Sequence, residues 1–246
     1  LWQLKQRIDR AFMASFQRPA AMADAVPMAC RGCAAKLPAQ PLSAALDRVG
    51  LGGQPEDAAR LDDHPGLLQS MDGFPALVSD PWLNGRLTAL HACSDLWACG
   101  AGVSSAMATV TLPMVPGNEQ RELLVQTLAG IRSVLDEQGA ELIGGHTMES
   151  RSASPMPTSL GVQITLTVNG NSSAPPWLKS GLRAGDALLI SRPLGTGVLF
   201  AGSMTGATSA HDLDAALQSL ASSQHTLLQQ LAPVRDRIHA CTDITG

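Results

Sequence analysis

A chain of 246 residues, 45% of them apolar, is long enough for one large domain or two modest ones with true cores. With 17 Lys and Arg against 21 Asp and Glu, a formal net charge of −4 and a pI near 5.8, it lacks the cationic excess that nucleic acid or an anionic membrane surface selects, and no apolar run reaches the roughly 18 residues that cross a bilayer. Cys30, Cys33, Cys93, Cys99 and Cys241 are odd in number and lack the dense spacing of a disulfide framework, so free thiols, a cytoplasmic setting and no signal peptide are expected.

The opening stretch, LWQLKQRIDRAFMASFQRP, sets Trp2, Ile8, Phe12 and Phe16 at helical spacing among basic residues and predicts an amphipathic helix. Pro19 and the run AAMADAVP break that pattern and mark a linker, so residues 1–27 are read as helix and linker. A small-residue loop, MACRGCAAK, follows over residues 28–36. A short helix is expected from Pro41 to Val49 with Gly50 as its stop, then an acid-bearing loop, GLGGQPEDAARLDDHPG. Residues 67–72 predict a strand ending on Asp72, and Pro81 to Cys99 a helix closed by Gly100-Ala101-Gly102.

Further along, SSAMATVTLP predicts a buried strand, and Asn118 is placed as the cap of a long amphipathic helix through Gln138, with Gly139 at its end. Strands are expected at AELIGG, TSLGVQITLTV and ALLISRP, the last after a boundary of turn formers, NSSAPPWLKSGLRAGD. Helices are expected at 195–204 and 211–232. Helices and strands intermix without a regular βαβ repeat, which gives an α+β class with a mixed sheet and flanking helices. The expected division is 28–172 for one domain and 173–246 for the beginning of a second. The chain opens at Leu1 and breaks off within TDITG, and so reads as a fragment.

Asp57, Asp72, Asp95 and Asp243 each fall in a loop or at an element boundary among small residues, where carboxylates from distant segments can converge. Oxygen donors of that kind suit Mg²⁺, a hard cation that bridges one or two carboxylates to substrate phosphates. Gly144-Gly145-His146-Thr147, directly after a strand, offers backbone amides and a hydroxyl to phosphate. Taken singly, such acids more often cap helices or face solvent, and a double glycine more often makes a turn.

In combination these stretches resemble the selenophosphate synthetases (selenide, water dikinases) of the aminoimidazole ribonucleotide (AIR) synthetase superfamily. GCAAK (32–36), EDAA (56–59), SMDGF (70–74), HACSDLWACGA (91–101), GGHT (144–147), SRPLGTGVL (191–199) and CTDITG (241–246) are similar to that family's motifs and follow the same order. The resemblance covers residues 30–246. It implies a PurM-like, ATP-binding N-terminal domain and a truncated C-terminal one. It also implies a Mg²⁺-dependent homodimer that converts ATP, selenide and water to selenophosphate, AMP and phosphate.

Carried over residue by residue, the resemblance gives Cys33 and Lys36 as catalytic, and Asp57, Asp95 and Asp243 as metal ligands. Lys36, Glu56, Asp72, Asp95, Gly145, His146 and Thr147 become contacts to ATP. The alternatives are another ATP-dependent member of the superfamily acting on a different small nucleophile, and a non-catalytic nucleotide-binding or dimerising module. Departures from the family pattern fall within its own motifs: Ala34 and Ala101 replace glycines, His91 replaces an asparagine, and Pro55 removes a backbone donor. Cys93 and Cys99, six apart on a helix, do not share a face and suggest no zinc site, and Cys30 with Cys33 forms a lone C-x-x-C. Residues 1–18 resemble the C-terminal end of FAD-dependent, NADH dehydrogenase-like oxidoreductases, which implies such a module fused upstream.

Overall fold

The computed structural model describes residues 39–53, 56–61, 63–150 and 161–244. The predicted N-terminal helix, its linker, the loop carrying Cys33 and Lys36, and Pro55 lie outside the described residues. In chain order the elements are α1 (Ala39–Arg48), β1 (Ala59–Arg60), β2 (Leu67–Phe74), α2 (Pro81–Ala98), β3 (Gly102–Leu112), α3 (Gly117–Asp136), β4 (Glu141–Glu149) and β5 (Gln163–Asn171), followed by α4 (Thr196–Met204), α5 (Ala210–Leu220), α6 (His225–Leu231) and a 3₁₀ turn (Ala232–Arg237).

Five strands form one mixed sheet in the order β1-β2-β5-β3-β4, antiparallel except for β3 with β4. Strand alternation sorts its two faces. Ala106, Ala108, Val110 and Leu112 of β3 and Ile164, Leu166 and Val168 of β5 are buried, whereas Met107, Thr109, Thr165 and Thr167 point to the other side. The buried face is covered by α2 and α3, whose Leu96, Ile131, Val134 and Leu135 complete the core.

Two glycines bring those helices together. A Cβ on Gly130 would collide with Trp82 O, and one on Gly85 with Thr127 O, so the backbones meet where neither carries a side chain. Asp80 caps α2 by accepting from Leu83 N at 2.7 Å, with Pro81 in the first turn, and Gly100 ends the helix at φ +74°. Buried Asn84 is satisfied at both ends, accepting from Leu77 N at 3.1 Å and donating to Val162 O at 2.8 Å. A smaller cluster joins α4 and α5 to this layer by packing Phe200 against Leu77 and Leu87.

Three expectations need correction. Asn118 does not cap α3: Gly117 is already helical, and Pro116 O accepts from the amides of Glu119 and Gln120. ALLISRP (187–193) forms no strand. It pairs with no other strand among the described residues, and Leu188, Leu189 and Ile190 stand exposed, so the apolar run lacks the neighbour a ladder requires. The helix expected over 211–232 is broken at Ser222-Ser223. Ser222 Oγ donates to Gln218 O at 2.9 Å and Ser223 Oγ accepts from His225 N at 3.1 Å, local bonds that compete with helix continuation.

Candidate functional site

Three segments far apart in sequence meet at one end of α2. Asp95 comes from the last turns of that helix, Asp57 from the loop before β1, and Asp243 from the irregular segment after the 3₁₀ turn. Each offers a carboxylate oxygen, and those oxygens lie within 4.8 Å of one another. The side chain of Asp57 is 6% exposed and Asp95 is buried, so little water screens the mutual repulsion.

Hydroxyls and one ammonium hold the carboxylates in place. Ser70 Oγ, on the helix-facing side of β2, donates to Asp95 Oδ2 at 2.5 Å, and Ser94 Oγ donates to Asp243 Oδ2 at 2.7 Å. Thr242 Oγ1 donates to Asp57 Oδ1 at 3.2 Å, and Lys179 Nζ stands 2.9 Å from the same oxygen. Burial, reinforced by Asp243, Asp72 and Asp57, pushes the Asp95 carboxyl up to about 8 despite the Ser70 bond. Burial also raises Asp57, with Asp243 adding to the effect and Lys179 and Thr242 opposing it. Carboxyls driven upward by one another gain most from a multivalent cation among them.

Asp72 lies on β2, two residues beyond Ser70 and likewise facing α2. Its Oδ2 is 3.0 Å from His91 Nε2 without an aligned hydrogen bond, and its Oδ1 accepts from Gly73 N at 2.8 Å. The His91 ring tilts against Phe74 with centroids 5.1 Å apart. Glu56 is turned to the scaffold, accepting from Lys179 N at 2.9 Å. Gly144, Gly145, His146 and Thr147 lie within edge strand β4 rather than in a turn, all exposed, away from the three acids in the chain's own topology. Gly145 has a packing reason of its own, since any Cβ there would strike Ala108 O on β3.

The thiols around the cluster are quenched. Burial pushes Cys93 and Cys99 up to about 12 and Cys241 up to about 11, with nearby Asp residues adding to each shift. Motif reading passed over Lys179, Ser70, Ser94 and Thr242 as functional groups. Ser94 and Thr242 each adjoin an acid that it did select. Lys179 left a compositional trace, because the chain's lysines are Lys5, Lys36 and Lys179 while arginine carries the rest of its positive charge.

Residues 55–170 match the model of the AIR synthase related protein, N-terminal domain. Among curated proteins, the chain is similar to a selenide, water dikinase of Bdellovibrio bacteriovorus, 31% identical over 227 residues, covering 87% of this chain and 62% of that protein. It is likewise similar to one of Nitrosomonas eutropha, 30% identical with the same two coverages. The chain thus spans about 62% of the length of these relatives. Among solved structures, a ThiL protein complexed with AMPPCP and TMP superposes with a TM-score of 0.61 at 15% identity, covering 80% of this chain and 65% of that one. Hydrogenase maturation protein HypE in complex with ATP gives 0.53 at 24%, covering 72% and 50%. The α+β, PurM-like fold is shown by these likenesses, and so is the resemblance to selenophosphate synthetases within the AIR synthetase superfamily. No helix among the described residues is long and apolar enough to cross a membrane.

Proposed function

We propose that this chain carries the nucleotide-binding portion of a selenophosphate synthetase, an enzyme that converts ATP, selenide and water to selenophosphate, AMP and phosphate. The observation that carries the reading is the meeting of Asp57, Asp95 and Asp243 within 4.8 Å, three acids drawn from three motifs of that family. Their all-oxygen, mutually repelling donor set fits Mg²⁺. When bound, the cation would neutralise charge on the polyphosphate.

The chain's own groups prepare that chemistry. Ser70, Ser94 and Thr242 fix carboxylate orientation before any ligand arrives, which lowers the reorganisation needed on binding. Asp72, with Glu56, is assigned to ATP, and Cys33 and Lys36, both outside the described residues, to handling selenide and to offsetting charge on the transferring phosphoryl group. Gly145, His146 and Thr147 are assigned to phosphate across a homodimer. An exposed Met71, Met107 and Met148 on the open face of the sheet support such pairing, since burying them would remove apolar surface from water. A cytoplasmic site of action and an upstream oxidoreductase partner belong to the same reading.

The test is phosphorus NMR of the protein with Mg-ATP under anaerobic conditions, with and without selenide, beside Cys33→Ala. The reading predicts a selenophosphate resonance and AMP, both lost in the variant. ATP hydrolysis that proceeds identically without selenide contradicts it and favours another superfamily activity, for which His91 beside Asp72 is the observation to pursue.

A further inference from the structure

Lys179 lies in a stretch without regular structure, yet its position is fixed from three sides. Trp177 N donates to Cys99 O at 3.0 Å, Cys241 N donates to Leu178 O at 3.0 Å, and Lys179 N donates to Glu56 Oε2 at 2.9 Å. Residues 177–179 are thereby laced to the exit of α2, to the segment that carries Asp243 and to the loop that carries Asp57. The side chain, 15% exposed, then delivers its ammonium to Asp57 Oδ1 at 2.9 Å.

An ammonium on one oxygen of Asp57 has two consequences for a cation at the same cluster. The oxygen is already engaged, by Lys179 as well as by Thr242, and a dication close by meets a like charge held in a poorly screened place. We propose that Lys179 is a built-in counter-ion that holds Asp57 and competes with a divalent cation for it. Metal affinity is thereby set lower than three converging carboxylates would give. The inference rests on the cation reading of the cluster made above. A bound polyphosphate would draw the ammonium toward itself and release Asp57, so cation and nucleotide would strengthen each other's binding through this side chain.

The test is a Mn²⁺ titration of the full chain followed by electron paramagnetic resonance, without nucleotide, comparing the wild type with Lys179→Met and Lys179→Arg. Lys179→Met is expected to bind Mn²⁺ tighter by on the order of tenfold, and Lys179→Arg to stay near the wild type. A gain in affinity is something a merely structural lysine would not produce. If the wild type binds and Lys179→Met binds equally or more weakly, or if Lys179→Arg tightens as much as Lys179→Met, the counter-ion role is overturned and the cation site stands. If no form binds Mn²⁺, the cation reading falls and the inference with it. Should Lys179→Met not fold, ¹³C NMR of the reductively methylated wild type decides. Saturating Mg²⁺ is expected to shift the Lys179 resonance, and an unmoved resonance overturns the proposal.

Discussion

Between Leu67 and Asn171 the chain holds Asp95 by burial: the acid sits on a helix whose inner face is sealed against the sheet by Leu96, Ile131, Leu166 and Val168. Between Ser172 and Ile244 it holds Asp243 by a few polar ties. Arg235 stacks its guanidinium 4.8 Å over the Trp177 ring and donates to Gly100 O, Ser172 Oγ and Pro175 O, and Asp186 meets His239 Nδ1 at 2.8 Å. One region over-determines its carboxylate, while the other positions it through side chains that a single substitution removes. The site is built across the seam, so its geometry is as firm as the weaker side.

The largest expected effect lies on the firm side. Asp95→Asn takes one carboxylate donor from the cluster and should lower ATP turnover by roughly a thousandfold in a coupled assay, with the fold retained, since Ser70 can still meet an amide oxygen. Next comes Gly130→Ala. The added methyl meets the Trp82 carbonyl and should cost about 2–3 kcal/mol in urea unfolding, whereas Gly197→Ala on α4, with open space around it, should change stability by less than about 1 kcal/mol. Equal costs at the two glycines would erase the contrast between the regions.

Arg235→Met tests the other side, at about 1–3 kcal/mol for the lost stacking and the carbonyls left without a donor. Hydrogen exchange should accelerate at residues 238–243 while 102–112 stays protected; uniform acceleration would mean that the two regions open together. The most gradual effect is in the pH profile. Because the folded Asp95 carboxyl lies near 8 and the unfolded one near 3.8, the folded state binds more protons between those values. Stability of the cation-free protein therefore falls as pH rises through that window, by roughly 3–5 °C in Tm per pH unit, and Asp95→Asn should flatten the slope.

What the sequence made legible follows the same division. The strand runs SSAMATVTLP and TSLGVQITLTV, and the Pro81 start and Gly100 stop of α2, are local signals that survive folding, so most of the sheet and its helices could be read directly. The C-terminal part carries less local information. ALLISRP has the apolar content of a strand, but a strand is made by its neighbour, and Ser222-Ser223 interrupts a helix through side-chain bonds that no periodicity reveals. Asp57, Asp95 and Asp243 were found through motif order, as each motif marks one wall of the site. Lys179 was hidden among turn formers, because what gives it a role is a contact to a residue more than a hundred positions away.

The most direct measurement is a crystal of the protein grown with Mn²⁺ and a non-hydrolysable ATP analogue, with an anomalous difference map collected at the manganese edge. A peak bonded to Asp57, Asp95 and Asp243 at roughly 2.2 Å, in contact with the phosphates, is the predicted result. A nucleotide bound with no peak among the three carboxylates, or with manganese held elsewhere, would contradict the account.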